Sequence, residues 1–171
     1  MKSPKDAVNM HRNTQCLWLL FFAFGFTLDA SAMERAYILS PDQAQQALRQ
    51  CSRPTPRDVK GTWIVTTTVV AQLERDLNKL SDLKSHQCCV SGESVRNPSS
   101  YLRQYVGVTI RGKRYVYINA FQGPVLHRAT DNEDAMMHEP FVVCDGGDSA
   151  WGALYDPETR QFSELAFNGV A

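Results

Sequence analysis

The chain has 171 residues with 18 basic and 18 acidic side chains, so its formal net charge is zero. This balance, without any basic run, excludes the electrostatic footprint of a nucleic-acid-binding protein and of a polybasic membrane-surface protein. The length and an apolar fraction of 43% are typical of one globular domain with an ordinary core.

The N-terminal segment has the pattern of a signal peptide. A short stretch that ends with Arg12 carries basic residues, and residues 16–26 then form an uncharged and almost wholly apolar run. As a helix this run would be about 16 Å long, which is roughly half the hydrocarbon thickness of a bilayer. We therefore expect export, with no stable membrane anchor in the mature protein.

The expected cleavage site follows the apolar run. Small residues Ala30 and Ala32 stand at the two positions that a signal peptidase reads, which predicts cleavage before Met33. Translation from either Met1 or Met10 is compatible with this expectation. Residues 1–32 are then the signal peptide, and residues 33–171 form a single globular domain in the periplasm or outside the cell.

Cysteine count supports the same compartment. Cleavage removes Cys16 and leaves Cys51, Cys88, Cys89 and Cys144, an even number in an oxidising environment, which predicts disulfides. Because adjacent cysteines rarely bridge each other, two full pairings remain, either 51–88 with 89–144 or 51–89 with 88–144. A zinc or copper site is the alternative, but the chain lacks the CxxC-like pair typical of such sites.

The first half of the mature chain predicts two helices. Ser40 and Pro41 form a helix start, because serine caps free amides and proline suits the first helical position, and the helix is expected at about 41–50. Apolar residues recurring every three or four positions predict the main helix at about 68–84. Residues 61–66 fit either a strand or the cap of that helix.

The second half has the period of β-strands. Apolar and β-branched runs alternate with turn sequences, including an Arg111-Gly112-Lys113 turn in which glycine can take a positive φ. The prediction is an α+β fold with a five-stranded antiparallel sheet and both helices packed on one of its faces. The five strands are expected at about 104–110, 114–121, 140–145, 150–156 and 161–167.

The most site-like segment lies between the predicted strands near residue 150. Asp145 and Asp148 offer carboxylates, Gly146 and Gly147 allow close approach of a ligand to the backbone, and Trp151 offers an aromatic surface. These five residues are the candidate binding site. The alternative is a Gly-Gly turn whose aspartates cap their own backbone amides, with Trp151 in the core.

Other candidate residues give weaker signals. The acidic loop 131–139 contains a Met-Met-His triplet ending at His138 and lies near His127, but its spacing fits neither a calcium loop nor a copper site. A solvated loop is the preferred interpretation. Ser149 lies outside any Gly-x-Ser-x-Gly elbow, so the sequence identifies no catalytic residues, and we expect no metal and no cofactor.

Two stretches resemble a family. Residues 103–121, which read RQYVGVTIRGKRYVYINAF, and the later VCDGG, WGALYDP and FNG segments within residues 142–169 are similar to a set of small exported bacterial proteins of unassigned function. The resemblance covers roughly 103–171, and a weaker similarity lies in the helix that carries Leu73 and Glu74. It implies export and the fold described above, and it implies no activity.

These observations favour an exported interaction or inhibitor-like binding module, rather than an enzyme, that binds a protein or an envelope component. The alternative is a small periplasmic hydrolase or metal-binding protein that uses Asp145 and Asp148 with His127 or His138.

Overall fold

The protein is described by a computed structural model over residues 35–86, 90–123 and 137–170. These residues form an α+β fold in which helical segments cover both faces of a mixed six-stranded sheet. The strands are β1 (Ala36–Ile38), β2 (Val59–Trp63), β3 (Leu102–Ile110), β4 (Lys113–Phe121), β5 (Ala150–Asp156) and β6 (Gln161–Phe167). The α-helices are α1 (Ala44–Ala47) and α2 (Thr67–Asp76), with 3-10 segments at Pro41–Gln43, Leu77–Asp82, Pro98–Ser100 and Gly147–Ser149.

The sheet is built on the long central strands. β3, β4, β5 and β6 are consecutive and antiparallel, while β1 and β2 share the outer edge of β3. β1 pairs parallel to the first part of β3, and β2 pairs antiparallel to its second part. Four of the five predicted strands are therefore confirmed, but the sheet is mixed and has two additional short strands. The predicted β3–β4 turn is also confirmed, with φ of 50° at Arg111 and 80° at Gly112.

The predicted strand at 140–145 is wrong. Residues 140–145 contain no strand, although Phe141 and Val143 are buried as the apolar pattern required. Their backbone groups form hydrogen bonds with the side chains of Gln50, Asn119 and Asn168, so they do not pair with a strand of the sheet. The two apolar side chains are therefore buried without a strand, because side chains satisfy the backbone hydrogen-bonding groups of this irregular segment.

Both helical segments lie over the sheet, but on opposite faces, which corrects the prediction of a single covered face. α2 packs with Val116 and Ile118 of β4, whereas α1 packs with Tyr117 between them. Successive side chains of a strand point to opposite faces, so a run that is buried at every position needs a cover on each side.

The helices are shorter than predicted. The segment expected at 41–50 is a 3-10 turn followed by the four residues of α1, and the segment expected at 68–84 is α2 followed by the 3-10 turn at 77–82. Residues 61–66 serve both expected roles. β2 ends at Trp63, and the Thr66 hydroxyl accepts a hydrogen bond from the Val69 amide at the start of α2.

A buried ion pair connects α2 to the sheet. The Arg103 guanidinium lies 3.1 Å from the Glu74 carboxylate, and both side chains are almost fully buried. The Tyr105 hydroxyl joins the pair, and burial followed by the nearby Glu74 carboxylate raises its pKa well above the ordinary value. The hydrogen-bonded trio therefore connects α2 to β3. Among the described residues, no helix has both the length and the apolarity needed to span a bilayer.

Candidate functional site

The glycine-rich turn lies just before β5 and takes a path that requires glycine. Gly146 and Gly147 have φ of 129° and 53°, and a Cβ on Gly147 would lie 2.9 Å from a methyl carbon of Val170. The Gly147 amide donates to the Gly169 carbonyl at 3.0 Å. The turn is thus fixed against the C-terminal segment by its backbone.

The two aspartates of the turn are exposed. Within residues 35–86, 90–123 and 137–170, no hydrogen bond or ion pair engages the carboxylate of Asp145 or of Asp148. The turn instead uses their backbone carbonyls, which accept from Asn168 and from the Tyr101 hydroxyl, respectively. Both carboxylates are therefore available to a ligand.

Trp151 lies in the core rather than on the binding surface. Its side chain is fully buried and makes an edge-to-face contact with Tyr101, with the ring centroids 5.6 Å apart. Its indole Nε1 has no hydrogen-bond partner in the described part of the chain. The structure places Asp145, Gly146 and Asp148 at the surface of one turn, whereas Gly147 and Trp151 are buried.

A disulfide anchors the same turn. Cys51 and Cys144 are bonded to each other, with Cα atoms 4.9 Å apart and 93 positions between them in the chain. Both predicted pairings are therefore wrong, because each assigned Cys51 and Cys144 to the adjacent cysteines. The reason is proximity in the fold: the Cys51 and Cys144 segments meet over the α1 face, while Cys88 and Cys89 lie outside the described residues.

A buried arginine lies two residues after this disulfide. The Arg53 guanidinium donates to the side-chain oxygens of Asn119 and Asn168 and to the Tyr117 hydroxyl, and its exposed fraction is 4%. No carboxylate pairs with it in the region that the structure describes, and its Nε is without a partner there. Arg53 thus contributes a buried positive charge that only neutral groups solvate.

The partners of Arg53 also hold the segment before the turn. Asn168 Nδ2 donates to the Val143 carbonyl at 2.6 Å, and Asn119 Nδ2 donates to the Phe141 carbonyl at 2.8 Å. Gln104 donates to the carbonyls of Met137 and Glu139. We call residues 137–149 the display segment, because buried side chains of the sheet fix its backbone from Met137 to Asp145.

Sequence reasoning missed this polar framework. Gln104 and Asn119 interrupt otherwise apolar strand runs at facing positions of β3 and β4, and Asn168 follows directly after β6. A polar side chain at a buried strand position needs a partner, so these interruptions are the signal that points to a framework.

Of the two histidines of the alternative site, His138 lies in the described part. It is exposed and makes a ring contact with Tyr37, and Ser149 is half-buried. Among the described residues, no three histidine, cysteine or acidic side chains are grouped so that they could hold a metal. His127 and most of the acidic loop lie outside the described residues.

A cleft of about 430 Å³ lies beside the turn. Gly146, Gly147 and Asp148 line this cleft together with Glu93 and Arg96. The cleft falls in the size range of small-ligand sites, and the turn forms part of its lining.

No protein-family model matches the chain, and no curated protein and no solved structure is significantly similar to it.

Proposed function

We propose that the protein is an exported binding module that presents the display segment to a basic partner protein or envelope component. The observation that carries the proposal is a fixed backbone with free carboxylates. The display segment contains Glu139, Asp145 and Asp148, contains no Lys or Arg, and is held by a disulfide and by buried amide side chains.

Preorganisation supports a binding role. A segment that is ordered before binding loses little conformational entropy when a partner arrives, which favours tight association. Inhibitor-like proteins use this principle by presenting a stiff loop from a rigid scaffold. Val142, with 39% of its surface exposed, adds an apolar contact among the carboxylates.

The negative charge of the display segment supports a basic partner. Three exposed carboxylates in a segment that contains no Lys or Arg attract a positively charged surface and increase its association rate. The alternative is a hydrolase or a metal-binding protein, and the described residues contain no group of three histidine, cysteine or acidic side chains that could hold a metal.

Export is tested by fractionation. We expect the full chain, expressed in a bacterial host, to yield a periplasmic or secreted protein whose mass matches residues 33–171. The double variant Ala30→Arg and Ala32→Arg should block cleavage and serves as the control. Uncleaved wild-type protein in the cytoplasm would refute the export part of the proposal.

Binding is tested with an isosteric pair of variants. We expect immobilised mature protein to capture a basic partner saturably, and the double variant Asp145→Asn and Asp148→Asn to weaken the interaction with the purified partner about tenfold or more. The matched control is Asp58→Asn with Asp82→Asn, which removes the same charge elsewhere. Equal weakening by both pairs would show that net charge, not the display segment, determines binding.

A further inference from the structure

A second surface site lies at the other end of β5 from the glycine-rich turn. A groove of about 750 Å³ opens on the α1 face, near the β3–β4 turn. Its floor includes Tyr115, Leu154 and Ala166, and its rim carries charged side chains from three separate parts of the chain. The volume matches that of pockets that hold small organic ligands.

Unusual backbone conformations concentrate at this rim. Asp58 and Glu164 line the groove with φ of 59° and 53°, values that non-glycine residues rarely adopt, while Arg111, with φ of 50°, lines it from the β3–β4 turn. The β2–β3 and β5–β6 pairings are each irregular next to one of these residues, between Val59 and Gly61 and opposite Glu164. Such irregularities redirect a side chain, and they are common beside functional sites.

The rim carries charges of both signs. Arg57, Arg111 and Lys113 line the groove, together with Asp58 and Glu164. Lys113 pairs with the Asp156 carboxylate at 3.2 Å, but its side chain is half-exposed and an ammonium has three donors, so it can also donate to a bound anion. Arg111 pairs with Asp58 at 3.3 Å, but both side chains are largely exposed, so water weakens the pair. Arg57 has no hydrogen bond or ion pair in the described ranges and is therefore ready to bind an anion.

The buried Arg53 adds to the positive potential at the inner end of the groove. Its Nε lies 3.0 Å from the position that a Cβ on Gly152 would occupy, and Gly152 pairs with Ala166 of the groove floor. A buried charge that lacks a counter-ion is screened less than a surface charge, so its field extends into the adjacent groove.

We propose that this groove binds an amphipathic organic anion, whose apolar body lies on Tyr115 and Leu154 and whose anionic group is held by Arg57 and Lys113. The Lys113 ammonium lies 5.8 Å from the centre of the Tyr115 ring, so a cation and an apolar surface adjoin at one point of the groove. This site is separate from the display segment, so a test that refutes one of the two proposals leaves the other unaffected.

The test uses two fluorescent probes that share an apolar body. 1-Anilinonaphthalene-8-sulfonate carries a sulfonate, and N-phenyl-1-naphthylamine is its neutral counterpart. We expect the mature protein to bind the sulfonate probe saturably and at least about tenfold more tightly than the neutral probe. Equal affinity for the two probes, or no saturable binding of the sulfonate, would overturn the proposal.

Variants locate the probe. Arg57→Ala should weaken binding of the sulfonate probe about tenfold, and Glu164→Gln should strengthen it, because one removes a cation and the other a carboxylate from the rim. Arg75→Ala is the matched control, since Arg75 is an exposed cation of α2 on the opposite face of the sheet and does not line the groove. An unchanged affinity in Arg57→Ala, or an equal loss in Arg75→Ala, would overturn the assignment.

Displacement identifies the anionic group. Octanoate and octyl phosphate should displace the sulfonate probe, with the tighter competitor indicating a carboxylate or a phosphate ligand. 1-Octanol, which has the same chain without a charge, should displace it at least about tenfold less effectively. Equal displacement by 1-octanol would contradict recognition of an anion.

Discussion

The side-chain amide of Asn168 donates to the carbonyl oxygen of Val143 at 2.6 Å, while its oxygen accepts a hydrogen bond from Arg53. A residue just after the last strand therefore ties the display segment to the buried arginine. The nitrogen and the oxygen of one side-chain amide are both used, so a substitution that removes the amide breaks both contacts.

Replacing this amide should loosen the display segment. We expect Asn168→Ala to lower the free energy of unfolding by about 2–4 kcal/mol, because the buried Val143 carbonyl loses its donor and the buried Arg53 guanidinium loses one of its acceptors. Hydrogen exchange at residues 143–145 should become faster. Ser163→Ala, at an exposed position of β6, is the control, and equal exchange rates in wild type and Asn168→Ala would contradict the framework role.

The disulfide connectivity is open to direct mapping. Digestion without reduction should release a linked peptide that contains Cys51 and Cys144, and the double variant Cys51→Ser and Cys144→Ser should lower stability by about 4 kcal/mol. The estimate follows from the long loop that the bond closes. The double variant Cys88→Ser and Cys89→Ser should retain the linked peptide, and its loss there would refute the pairing.

Gly152 gives a test of close packing beside Arg53. A Cβ at this position would lie 2.8 Å from the Tyr117 hydroxyl and 3.0 Å from Arg53 Nε, so Gly152→Ala should destabilise the protein by about 2–3 kcal/mol. Gly61→Ala is the matched control in β2, where the nearest atom, in Thr109, is 3.8 Å away. Similar unfolding midpoints in denaturant for the two variants would contradict the predicted clash.

Asp76 should make the protein sensitive to acid. Burial alone would raise its pKa, but hydrogen bonds from Arg160, Lys79 and Tyr155 outweigh that effect and hold the pKa well below its ordinary value of 3.8. A folded-state pKa below the unfolded one stabilises the fold above the unfolded value, and this stability is lost as the pH falls below about 4.

The variant Asp76→Asn tests the contribution of this one carboxylate to the acid sensitivity. Asp76→Asn should cost about 2–3 kcal/mol at pH 7, because hydrogen bonds to a charged group are lost, and it should cost less at pH 3. Denaturation curves at both pH values provide the measurement. Asp82→Asn, an exposed position, is the control, and an equal cost of Asp76→Asn at the two pH values would contradict the assigned role.

Strands with a clear period were predictable because local pattern and tertiary burial agree in them. β4 and β5 are buried along most of their length, and each has a neighbouring strand on both sides, where a mainly apolar run is stable. The segment at 140–145 has the same composition but meets side chains instead of a neighbouring strand. No local pattern distinguishes those two environments, because the deciding partner, Asn119, lies more than 20 positions away.

The candidate site was predictable in part. The two adjacent glycines predicted the turn, because positive φ values favour glycine whatever the tertiary surroundings. The pairing of Cys51 with Cys144 was not predictable, because it depends on how α1 and the display segment pack on one face. The charges at the groove also come from distant segments, and only the folded sheet brings Arg57, Arg111 and Glu164 to one rim.

The irregularity at Glu164 has a consequence for solubility. In the described ranges β6 pairs only with β5, so its outer edge presents free backbone groups that another chain could extend. The positive φ of Glu164 bends this edge, and the exposed charge makes a regular ladder with a second copy unfavourable. If residue 164 took an ordinary extended conformation, β6 would present a more regular edge, to which a second copy could add a strand.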